Sequence, residues 1–117
     1  MRKPYATPEQ YEHWRTEELK LYAGKLAYIT MVMIDKHGVN NALDRHILGN
    51  LYDELRALKT LLDARIASYA SKLLLERLLG ILESEFAAYD KRGREARLAR
   101  KQQEATMRLL YAKENIA

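Results

Sequence analysis

From Asn40 to Arg92 the chain runs without a proline, and the stretch is dense in Leu, Ile, Ala and Tyr. Strong helix formers without a breaker favour helix at nearly every position. Leu48, Leu51, Leu55, Leu58, Leu62, Ile66, Tyr69 and Leu73 recur along it, and Leu75, Leu78, Leu82, Phe86 and Tyr89 continue the series. Their mean spacing is roughly 3.6 residues, one face of a straight helix more than a strict heptad. No Gly or Pro marks a turn between Leu51 and Leu79. The expectation is one helix over about residues 41–92. Thr60-Leu61-Leu62-Asp63 resembles a weak capping box, which offers a break near Thr60 as the alternative.

Length makes that choice matter. A 50-residue helix is about 75 Å long, against a gyration radius of about 13 Å for a compact chain of this size. Unbroken, the helix leaves apolar faces bare and needs self-association or a partner. Broken near Thr60, the chain can close into a bundle of four helices alone.

The flanks carry start and stop signals. Thr7-Pro8-Glu9-Gln10 reads as a helix N-terminus, with Pro at the first helical position and Gln10 completing a capping box. A first helix over about residues 8–37 then carries Leu19, Tyr22, Leu26, Ile29 and Met33 on one face. Its second half, Tyr28 to Ile34, is apolar nearly all round and is expected to be the buried end. Lys36 and His37 suit a last turn, Gly38 suits the left-handed position after it, and Val39 supplies the apolar residue that follows. Asn40 or Asn41 caps the next helix, so a short turn joins two antiparallel helices. Gly93 is a natural stop for the second helix, with a third over about 94–113 bearing Leu98, Ala105 and Leu109 on one face and Gln102 between them. The fold class expected is all-α: a long antiparallel helical hairpin or bundle with a third, basic C-terminal helix, in one domain spanning 1–117.

Composition narrows the function classes. Hydrophobic residues make up 48% and charged residues 31%, which excludes wholesale disorder. There is no cysteine, hence no disulfide, thiol nucleophile or thiolate metal site. The first residues lack the apolar core of a signal peptide. The longest apolar stretches, Leu26 to Ile34 and Leu73 to Leu82, fall short of the roughly 18–20 residues that span a bilayer. A cytoplasmic or virion-internal protein is expected. No Gly-rich phosphate loop exists, since Gly24, Gly38, Gly49, Gly80 and Gly93 stand singly, and Ser68, Ser71 and Ser84 have no nucleophile-elbow motif around them. Glu9, His13 and Glu17 are spaced for one helix face, but acids in a first turn also serve the helix dipole, and no Glu-x-x-His motif accompanies them. His37, His46, Asp35 and Asp44 are accounted for by caps and turn. No catalytic residue, metal site or cofactor is expected, and the chain is not read as an enzyme.

Two binding roles remain. Between Leu73 and Leu82 the helix is so apolar that no face is left for water, and Tyr69, Leu73, Leu74, Leu75, Leu78, Leu79, Leu82 and Phe86 form the expected protein interface. Eight tyrosines against one phenylalanine also suit interfaces, where a ring is buried and its hydroxyl reaches a polar edge. The leading expectation is therefore a non-catalytic interaction or assembly protein, oligomeric or part of a larger complex. The alternative is a nucleic-acid-binding regulator using Arg94, Arg97, Arg100, Lys101 and Arg108. The net charge is +4, and residues 91–113 hold eight basic side chains against Glu95 and Glu104. The plainer account of that run is a solvated face laced by Arg100–Glu104–Arg108 and Lys91–Glu95 pairs at helical spacing.

Overall fold

A computed structural model describes residues 3–65 and 69–116, with side chains at 3–65 and 72–113. A 3₁₀ turn at Pro8–Tyr11 precedes α1 (Thr16–Lys36), α2 (Ala42–Ala64) and α3 (Tyr69–Ile116). The fold is all-α, with no strand among the described residues. The chain divides into two compact units, Met1–Phe86 and Ala87–Ala117.

The first unit is a bundle of α1, α2 and the opening part of α3. Leu19, Ala23, Leu26 and Ala27 come from α1, Leu48, Leu55, Ala57, Leu58 and Leu62 from α2, and Leu75, Leu78, Leu79, Leu82 and Phe86 from α3; all are buried. Each fully buried leucine is worth roughly 1.5–3 kcal/mol of transfer free energy. Thr30, also buried, donates its hydroxyl to the Leu26 carbonyl at 2.7 Å, so it leaves no unsatisfied group. At the boundary the Tyr52 hydroxyl donates to Glu83 at 2.6 Å, and the Arg45 guanidinium stacks 3.8 Å over the Phe86 ring.

The single long helix over 41–92 does not form. α2 stops at Ala64, and Arg65 takes an extended backbone, φ −108° and ψ 162°. The break lies a few residues beyond the expected Thr60, and Thr60 itself is helical. No glycine is required, because an extended backbone suits any residue. What holds the exit is tertiary: the Arg65 guanidinium donates to the carbonyls of Trp14 at 2.6 Å and Glu12 at 2.7 Å. Ending α2 here also lets the leucines of early α3 share a core with α2.

The first helix likewise starts later than the sequence suggests. Thr7 donates its N–H to the Gln10 side chain at 3.1 Å, but the box opens only the 3₁₀ turn. Arg15 is extended, and α1 begins at Thr16. The bend between them brings Tyr11 and Trp14 against Tyr22, with ring centroids 5.2–6.0 Å apart. The turn between α1 and α2 follows its signals closely. Gly38 has φ +64° and donates its N–H to the Met33 carbonyl at 3.1 Å, and Val39 is buried. The Asn41 side chain accepts from the Asp44 N–H at 2.8 Å, and the Asp44 carboxylate accepts from the Asn40 N–H at 3.1 Å.

Gly93 does not end a helix, and residues 94–113 are not a separate third helix; α3 runs through both. One glycine in a helix interior costs about 1 kcal/mol against alanine, too little to stop a helix with no capping partner. In the second unit every described side chain of residues 87–113 is exposed except Tyr89 and the Gly93 position, which are half-buried.

Candidate functional site

The expected interface divides three ways. Leu75, Leu78, Leu79, Leu82 and Phe86 are buried in this chain's own core, Leu73 is half-buried, and Leu74 is 46% exposed. The Tyr69 side chain lies outside the described residues. The supposed apolar girdle has a wet side after all, since Leu74, Glu76, Arg77, Gly80 and Ile81 are exposed. Because α2 and α3 are separate helices, the first unit covers Leu75, Leu78, Leu79, Leu82 and Phe86 internally, while Leu74 stays open to solvent.

Three tyrosines, Tyr11, Tyr22 and Tyr52, sit half-buried at the rim of that core, while Tyr5, Tyr28 and Tyr111 are exposed. Tyr22 donates its hydroxyl to Glu54 at 2.8 Å. Burial, then the hydrogen bond to Glu54 and the charge of that carboxylate, pushes the Tyr22 phenol far above its ordinary value. Burial also raises Tyr11, with Glu54 adding to it, and raises Tyr52, with its Glu83 hydrogen bond second. Trp14, half-buried between Tyr11 and Tyr22, closes the same cluster. These contacts join the 3₁₀ turn to α1, α1 to α2 and α2 to α3.

A different apolar surface is open to solvent. On α1, Glu17, Leu21, Gly24, Tyr28, Met31 and Asp35 follow one another at alternating steps of four and three, and every one is exposed. Leu21 is 69% and Tyr28 70% exposed. Leu21, Gly24, Tyr28 and Ile29 line a shallow hollow of about 540 Å³ flanked by Lys20 and Lys25. The end of α1 read as buried all round is therefore buried on one side only: Ala27 and Thr30 face the core, while Tyr28, Ile29 and Met31 face water. The 4-3-4-3 step from Glu17 to Asp35 was present in the sequence, beside the stripe that became the core. It is the signal that finds this surface.

The second unit holds the basic residues. Arg94, Arg97, Arg100, Lys101 and Arg108 are all exposed. Among the described residues, no ion pair joins Arg100 to Glu104, Glu104 to Arg108, or Lys91 to Glu95, although each pair has helical spacing. Residues 87–117 carry eight basic and four acidic side chains, while residues 1–86 carry twelve of each. The whole net charge of +4 thus belongs to the second unit.

Glu9, His13 and Glu17 do not share a helix face, because Glu9 lies in the 3₁₀ turn, His13 in the bend and Glu17 in α1. No group of three acidic or histidine side chains suited to a metal gathers among the described residues. No described helix is long and apolar enough to cross a membrane. No known protein family, curated protein or solved structure matches this chain.

Proposed function

We propose that this chain is a non-catalytic interaction protein that associates with a helix of another protein, a second copy included, through the outer face of α1. The observation that carries this reading is Gly24. A Cβ added there meets nothing within 4 Å, so the bundle itself does not require a glycine. Glycine in a helix interior nevertheless costs about 1 kcal/mol against alanine. Exposed Leu21 and Tyr28 flank it one turn away on either side. A small residue between two large apolar ones lets a second helix backbone come close while their side chains pack around it.

Solution mass measured across protein concentration, together with retention of proteins from a native extract, tests the reading. Leu21→Glu with Tyr28→Glu abolishes association and leaves the bundle folded, because both side chains are already in water. Gly24→Ala separates two effects: the monomer gains up to about 1 kcal/mol of stability while association weakens. A chain that stays monomeric at every concentration and retains no protein removes the proposal.

A further inference from the structure

We infer that the helical segment 87–116 is a binding element for the phosphate backbone of double-stranded DNA, a role separate from the α1 face. Segment 87–116 lies within a unit that carries the entire net positive charge, and its described side chains find almost no burial. At roughly 30 residues the segment exceeds the ~12–15 below which an unpacked helix is marginal in water.

The cations are ordered around the helix. At 3.6 residues per turn, Arg94, Arg97, Arg100, Lys101 and Arg108 fall within about 120° of its circumference and along about 21 Å of its axis. Glu104 is the one acid on that arc, and no described ion pair ties it to Arg100 or Arg108. The five cations are thus free to meet an external anion. Four of the five are arginines, whose forked guanidinium matches phosphate oxygens in pairs. Duplex DNA presents one charge per about 1.7 Å of axis, so 21 Å of helix faces more phosphates than it has cations.

Other polyanions fit less well. A protein interface is built around an apolar centre, and the arc from Arg94 to Arg108 has none. A membrane surface needs a broad apolar face under the charges, yet between Arg94 and Arg108 the large apolar residues are Leu98 and Met107, which at 3.6 residues per turn fall on opposite sides of the helix. Single strands are held by aromatics interleaved with cations, and the first aromatic past Arg94 is Tyr111. The major groove of B-form DNA, about 12 Å wide, admits an α-helix, whereas the deep, narrow groove of duplex RNA does not.

The test is fluorescence anisotropy of a labelled, mixed-sequence DNA duplex titrated with the full chain at several salt concentrations. Five phosphate contacts give a slope of log Kobs against log salt of about −4.5. Arg94→Ala, Arg97→Ala and Lys101→Ala together bring it to about −2, weakening all sequences alike. Glu104→Gln tightens binding, and this variant keeps the test decisive where circular dichroism shows the triple variant losing helicity. Absence of binding at low salt overturns the inference, as does a slope unchanged in a helical triple variant. Tighter binding to duplex RNA, single strands, polyglutamate or anionic vesicles than to DNA also overturns it.

Discussion

Arg65 performs two tasks with one side chain: it leaves α2 and it fixes the bend before α1 through the Glu12 and Trp14 carbonyls. Hydrogen bonds from a charged donor contribute roughly 1.5–3 kcal/mol each in mutational series. Arg65→Ala is expected to lower unfolding free energy by about 3 kcal/mol, the low end for two such bonds, read from urea denaturation. Arg65→Lys recovers little of the loss, since an ammonium lacks the fork that reaches two separated carbonyls. Tyr22 gives a second signature. Its phenol is held neutral by burial and by Glu54, so the unfolded chain releases that proton first. Stability is whole below pH 10.0, the ordinary value, and declines as pH rises from there toward the raised folded value. Tyr22→Phe flattens that alkaline decline in a pH series of denaturation curves. At this scale the sequence was readable where a cap has its own chemistry, as with Gly38 and the Asn41–Asp44 pair. It was silent at Arg65, whose role depends on carbonyls about fifty residues earlier.

Each helix was legible in kind, less so in extent and facing. α1 carries two apolar stripes, and periodicity alone does not say which one meets the core. The bundle selected Leu19, Ala23 and Leu26 and left Leu21 and Tyr28 outside. α2 ends, and α3 continues past Gly93, against the local signals, because packing decides the first and the small cost of one glycine decides the second. α3 also changes character along its length. Leu82 is fully buried, whereas Leu110 is exposed. Leu82→Ala should therefore cost about 2–5 kcal/mol, while Leu110→Ala should shift the urea midpoint very little. Equal effects would mean that the described core is wrong.

As a whole, the chain pairs an electroneutral bundle with a cationic helical segment. Charge counting alone shows the second of these. The fate of the 73–82 leucines was not legible, because it turns on whether the chain breaks between α2 and α3. That break has no covalent enforcement. From Asn40 to Arg92 the sequence contains no proline, and between Leu51 and Leu79 no glycine, so nothing local forbids helix through the join. The exit at Arg65 is a choice made by the folded bundle. A variant that loses the Arg65 contacts has a second way to satisfy the same core: α2 and α3 fuse, the opened chain gives its early α3 leucines to a neighbour, and receives the neighbour's in return. Such exchange is a low-cost route to a dimer. Arg65→Ala held at high concentration is expected to yield a slowly interconverting dimer with increased helix content and the wild-type core contacts. The break between two helices is in that sense the point from which an exchange between copies would start.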